Sequence, residues 1–184
     1  MPAPADRVHA PDTIRVWDMV VRFTHWSVAA IVLFDLVQDS GDRVHRTLGY
    51  IAAGLVLCRI VWGFIGSQHA RFSTWLPRPA AVLDYSKALA AGRAPRYVSH
   101  TPLGAVGMLA MWALILSLAV TGWISRLDPF WGEDWPIDIH HWLANTLLGV
   151  VIVHVIAAIG MSIKGKENLI AAMITGRKPR ETRQ

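Results

Sequence analysis

Cysteine is almost missing from this chain: Cys58 stands alone among 184 residues. A single thiol excludes an intrachain disulfide, a cysteine-based zinc site, a Cys-ligated iron–sulfur cluster and a C-x-x-C-H haem attachment. Charge is scarce as well. Asp, Glu, Lys and Arg make up 17% of the chain against 53% hydrophobic residues, whereas soluble domains are roughly a quarter charged. The 18 basic and 13 acidic residues do not point to nucleic acid, because they flank apolar spans instead of forming one basic face. There is no internal repeat and no low-complexity tract, and no span is broken by proline. A transporter built from inverted repeats and broken helices is therefore disfavoured.

What the chain does have is apolar runs. Thr101 to Ser125 and Ile139 to Ile163 each hold 25 residues without Asp, Glu, Lys or Arg, more than the roughly 20 that a helix needs to cross a bilayer core. Leu48 to Gln68 is interrupted only by Arg59, and Val16 to Val37 carries Asp18, Arg22 and Asp35 near its ends. A signal peptide does not explain this first run, since its apolar part starts late and no small-residue cleavage site follows. The expected fold is an all-α integral membrane four-helix bundle with spans at about 16–37, 46–67, 101–125 and 139–163. It occupies residues 14–176, between a disordered tail at 1–13 and a basic tail at 177–184. In the long middle connection, Pro79 to Ala91 is expected to form a short surface helix.

Of the 18 basic residues, 14 fall in the two terminal segments and the middle connection. The two opposite loops carry only Arg43, Arg46 and Arg126, beside Asp35, Asp39, Asp42, Asp128, Glu133, Asp134 and Asp138. The positive-inside rule then places both termini in the cytoplasm of a multi-pass inner-membrane protein. Trp17, Trp62, Trp75, Trp131 and Trp135 suit an interfacial belt.

Eight histidines in so apolar a chain are the informative feature. His9, His69, His100 and His141 lie in a tail, in the middle connection or at interfaces, where they need no special role. His25, His45, His140 and His154 fall inside spans or at their ends, where ionisable groups are functional candidates. His25 and His154 each lie about nine residues from the cytoplasmic end of their spans, roughly 13 Å in. His45 and His140 each begin a span on the outer side. Fourteen steps of roughly 100° bring His154 back to within about 40° of His140, while His141 points elsewhere. Two depth-matched imidazole pairs in a four-helix bundle suit two stacked haems, each held between histidines of different helices. A single tetrahedral metal site would need all four rings at one depth. Plain hydrogen-bonded helix histidines or a proton relay are the alternative. Arg59 follows His45 by 14 positions on the same face, where it meets the inner haem's propionates or else snorkels to the interface.

In this arrangement the chain resembles the bacterial cytochrome b561 family, which shares its domain with the cytochrome b subunits of nickel–iron hydrogenases. The resemblance covers about residues 14 to 180 and rests on several segments in order. These are V-W-D-M-V-V-R-F-T-H-W with His25, H-R-T-L-G-Y with His45, C-R at Arg59, H-T-P-L-G-A, T-G-W-I, I-H-H-W-L-A-N-T-L-L-G-V-V-I-V-H with His140 and His154, and K-E-N-L-I-A-A-M-I-T-G-R-K. It implies two non-covalent b-type haems, His25 with His154 on the inner iron and His45 with His140 on the outer iron. It also implies electron transfer between the quinone pool and a partner at the outer face, such as a periplasmic c-type cytochrome or dehydrogenase.

Three functions follow from this as expectations: a respiratory electron carrier, a superoxide oxidase passing electrons to ubiquinone, or the membrane anchor of a hydrogenase or other periplasmic dehydrogenase. A cationic patch beside the outer haem would favour the oxidase, and an acidic rim would favour the carrier.

Overall fold

The computed structural model describes residues 13–38 and 40–180. Its frame is four long helices, α1 (Met19–Val37), α2 (Arg43–Ile65), α5 (Pro102–Ile124) and α6 (Trp135–Gly165), each apolar and long enough to cross a membrane. Between α2 and α5 come two short helices, α3 (Phe72–Trp75) and α4 (Pro79–Ala90). After α6 come α7 (Leu169–Thr175) and a strand, β2 (Arg177–Pro179), which pairs antiparallel with β1 (Thr13–Arg15).

Local chemistry sets the ends. Asp18 caps α1 by accepting from the Val21 amide at 2.9 Å, and Asp42 caps α2 through the His45 amide at 2.9 Å. Thr101 caps α5 through Gly104, with Pro102 in the first turn. Such caps satisfy amides that an α-helix leaves unpaired. They also explain shifts from the expected spans: α1 begins after Asp18, and α2 begins at Arg43 because Asp42 is the cap. Helix α6 starts earlier than the uncharged run, at Trp135, with Pro136 in its first turn and Asp138 tolerated in the exposed turn. At 31 residues it is roughly 46 Å long, well beyond a bilayer core of about 30 Å. The surface helix expected in the middle connection is α4, over Pro79–Ala90.

Most of the surface of these helices is apolar and outward-facing: Leu33, Leu57, Val61, Phe64, Val153 and Ile156 are all exposed. Without the hydrophobic effect acting between lipid-facing helices, close packing has to come from a few interior contacts. These are Ala52, Val56, Ile115 and Leu147, each buried, with Val28, Ile31 and Val151 packed against them. Helix α1 packs along α2, α2 along α5, and α5 along α6. Among the described residues α6 hardly touches α1 or α2.

The two ends of the described chain lie on one face, tied together by the β1–β2 pair. Arg177–Pro179 therefore departs from the tail expected from residue 177, and Thr13 from the one expected up to 13. The remaining tail residues, 1–12 and 181–184, lie outside the described set, and His9 with them. Gly176 makes this closure: the Val16 and Trp17 amides donate to its carbonyl at 2.9 and 3.1 Å. Its φ is +79°, and a Cβ there would stand 2.5 Å from the Trp17 carbonyl oxygen, so only glycine fits. Buried Lys178 and Glu167 pair at 3.4 Å, and Arg96 of the middle connection reaches the same carboxylate at 2.8 Å.

Candidate functional site

The four intramembrane histidines meet in two pairs. His25 of α1 faces His154 of α6, with ring centroids 6.5 Å apart. His45 of α2 faces His140 of α6, at 6.1 Å. Each pair links α6 to a helix whose backbone it hardly approaches, since the neighbouring long helix that α6 lies along is α5.

The first pair lies towards the face that carries the termini, the second towards the opposite face. Between the two levels the interior is filled. Leu147 sits seven residues from both His140 and His154, and Ala52 seven residues from both His45 and Arg59, so each forms one stripe of its helix. Leu147 and Ala52 are 3% and 2% exposed. The two levels are separate sites with a packed apolar layer between them. Among the described residues, no three His, Cys, Asp or Glu side chains gather into a metal-binding cluster, which fits pairs and not a tetrahedral set.

At the far-face level the rings are oriented by hydrogen bonds. His45 Nδ1 lies 2.9 Å from the Gln38 carbonyl oxygen. A carbonyl only accepts, so this nitrogen carries the proton and Nε2 keeps its lone pair. His140 Nδ1 lies 2.9 Å from Thr121 Oγ1. The Thr121 hydroxyl reaches the Ser117 and Leu118 carbonyls at 3.0 and 3.1 Å. With its one proton placed there, the oxygen accepts from His140, again leaving Nε2 bare. An open cleft of about 640 Å³, including the part that opens outward, adjoins both rings, with Gly49, Gly122, Arg46 and Asp35 in its wall. Asp35 Oδ1 is 3.8 Å from His45 Nδ1. His141 is exposed and packs only edge-on to His140.

At the other level, Arg59 is 5% exposed and does not snorkel. Its Nη2 donates to the Ala70 carbonyl at 3.3 Å, and its guanidinium lies 5.4 Å from the centre of the Trp112 ring. Nη1 is closed off and finds no partner among the described residues, and the same is true of His25 Nδ1.

His100, given only an interfacial place by the sequence, is enclosed. Trp17 and Trp75 pack on its ring, each 4.8 Å away between centroids, and its Nδ1 has no partner among the described residues. Burial, with Arg59 and Lys178 nearby, pushes its pKa down to about 3, so the ring is neutral. No sequence spacing marks it, because its neighbours come from the first segment and the middle connection. Gly122 belongs to the T-G-W-I segment, which by itself assigns it no role. A Cβ there would stand 3.4 Å from His140 Cε1.

The profile of the prokaryotic cytochrome b561 family matches residues 16–176. The chain belongs to that family. Family members bind haem b, and this protein is a multi-pass inner-membrane electron-transfer protein of the cytochrome b561 and nickel–iron hydrogenase cytochrome group. It is 25% identical over 230 aligned residues to a probable Ni/Fe-hydrogenase B-type cytochrome subunit of Bradyrhizobium diazoefficiens, covering 96% of this chain and 90% of that one. Proteins of the same description from Azotobacter vinelandii and Cupriavidus necator are 27% and 28% identical. Those matches cover 93% and 88% of this cytochrome and 90% and 85% of theirs. No solved structure matches.

Proposed function

We propose that this cytochrome holds two non-covalent b-type haems, His25 with His154 on one iron and His45 with His140 on the other, within a domain spanning residues 14–176. On this reading it transfers electrons between the quinone pool and a redox partner at the periplasmic face. The observation that carries it is the pair of imidazole couples, each joining α6 to a helix whose backbone it hardly approaches. The residues fit the group. Two ring nitrogens each about 2 Å from one metal put their ring centroids roughly 6 Å apart, and the two couples stand at 6.5 and 6.1 Å. At the far-face pair, both Nδ1 atoms have partners that leave Nε2 free to bind, the usual support of a metal-bound histidine.

Bound haem supplies a one-electron ferric–ferrous couple at each level, and two levels offer a route across the membrane. The chain does the rest. Gln38 and Thr121 orient their rings, while Ala52, Val56, Ile115 and Leu147 exclude water between the levels. Arg59 offers a buried cation to a propionate. Fourteen of 18 basic residues lie on the side of the termini and the middle connection, which supports a cytoplasmic location for both termini.

A second reading, a membrane anchor and electron-transfer subunit of a hydrogenase or other periplasmic dehydrogenase, is favoured by the relatives named above. A superoxide oxidase is disfavoured, because the cleft wall carries Asp35 as well as Arg46, which offsets a cationic funnel.

The test is a pyridine haemochrome assay on detergent-purified protein, followed by a reduced-minus-oxidised spectrum with a quinol as sole reductant. Two b haems per chain, reduced by quinol, are expected. Absence of haem would discard the reading. Copurification of a large periplasmic dehydrogenase would select the subunit version.

A further inference from the structure

The haem reading leaves one buried cluster unused. On the side of the termini, four buried nitrogens have no hydrogen-bond partner among the described residues: Arg22 Nε, His25 Nδ1, Arg59 Nη1 and His100 Nδ1. Arg59 Nη1 and His100 Nδ1 share neighbours. They belong to one assembly. The Ala70 carbonyl accepts both from Arg59 Nη2 at 3.3 Å and from Trp75 Nε1 at 3.1 Å, and Trp75 packs on the His100 ring. Trp112 closes the group, 6.4 Å from Trp75 and under the Arg59 guanidinium.

Nearby carboxylates are already engaged. Asp18 accepts from Val21 N, Trp62 Nε1 and Ser67 Oγ. Glu167 pairs with Arg96 and Lys178, although its Oε1, 3.4 Å from Lys178 Nζ, makes no hydrogen bond among the described residues. A buried donor without an acceptor is costly, and a guanidinium more so than a neutral group, so the cluster calls for an anion from outside the chain. Depth says which anion. Arg59 stands six positions before the end of α2, and His25 six positions after the start of α1, which sets both roughly 9 Å below the same face.

We infer that His100 joins Arg59 in binding a carboxylate of the inner cofactor, so that a haem propionate is received between a guanidinium and an imidazole clamped by Trp17 and Trp75. The inference rests on the haem reading above and adds a binding residue to it. The neutral imidazole donates through Nδ1–H, and Arg59 supplies the charge. An anionic lipid headgroup offers the same acceptor chemistry from a different source, and the experiment separates the two.

The experiment uses the full chain in detergent, loaded either with haem b or with its dimethyl ester, which lacks free carboxylates. Haem count and the rate of haem transfer to excess apomyoglobin are read together. With native haem, His100→Ala is expected to speed the loss of one haem about tenfold and leave the other unchanged. His100→Asn, whose amide nitrogen occupies the place of Nδ1, should restore most of the retention. With the dimethyl ester, wild type and His100→Ala should lose that haem at equal rates. If the alanine variant does not accumulate, His100→Leu against His100→Asn gives the same comparison.

Faster loss of native and esterified haem alike would overturn the inference, since His100 would then only pack. So would unchanged rates in a protein that keeps two haems, and loss of copurified anionic lipid in that variant would then assign the cluster to a headgroup. A wild-type protein without haem would overturn the haem reading itself.

Discussion

His140 and His154 stand on one face of α6 with buried Leu147 midway between them, seven residues from each. Two such steps are roughly 21 Å along a helix. This spacing makes one helix serve two levels of the bundle, each level completed by a histidine from a different partner helix.

On the two-haem proposal the two levels should therefore be separable. His154→Ala is expected to lower haem content from two per chain to one and leave the far-face haem's spectrum and potential in place. His45→Ala should remove the other. His141→Ala should change neither, because that side chain points outward. Haemochrome titration of the three purified variants checks this, and loss of both haems in either single variant would contradict two independent levels.

The glycines give a sharper geometric test. Gly49 lies in the wall of the far-face cleft, whereas Gly54 is exposed, with nothing within 4 Å of the place a Cβ would take. Gly49→Leu should intrude on the far-face site and cost that haem alone. Gly54→Leu should leave haem content unchanged, and both results can be read from absorbance per chain.

Much of this was legible in the sequence. Apolar runs gave four spans, depth counting paired His25 with His154 and His45 with His140, and helical phase preferred His140 to His141. The structure brings those same residues together. Contacts made by irregular segments were not legible. Trp75 reaches the Arg59 cluster from the end of α3 and His100 from the segment just before α5, and Arg177–Pro179 finds β1 across the whole chain. No periodicity encodes such meetings, because they are set by where the long helices deliver their ends. Thr121 stands in the T-G-W-I segment, but its role is not encoded there, for a similar reason: its partner His140 lies on the next helix, across the intervening loop.

That contact supports a prediction of its own. Thr121→Val keeps the side chain's shape and removes the acceptor for His140 Nδ1. If His140 holds an iron as proposed, haem retention at the far-face site should weaken about 10- to 100-fold, the usual effect of removing a metal ligand's hydrogen-bond partner. Thr121→Ser should behave nearly as wild type. Transfer of haem to a scavenging protein measures both, and the other haem serves as the internal standard.

Asp18 joins the start of α1 to the end of α2, accepting from Val21 N, Trp62 Nε1 and Ser67 Oγ. Burial works against its charge, but the hydrogen bonds from Ser67, Trp62 and Val21 prevail and hold the carboxyl below its ordinary value of 3.8. The unfolded chain thus binds this proton more readily than the folded one. The stabilisation is complete above pH 3.8 and fades as the pH falls towards the lower folded value. Asp18→Asn should lower the melting midpoint of the detergent-purified protein at neutral pH, and the gap from wild type should narrow on acidification below that value. A gap that stays constant through the acid range would mean that the charge of Asp18 contributes nothing to the junction and that the variant loses stability through its altered hydrogen bonding alone.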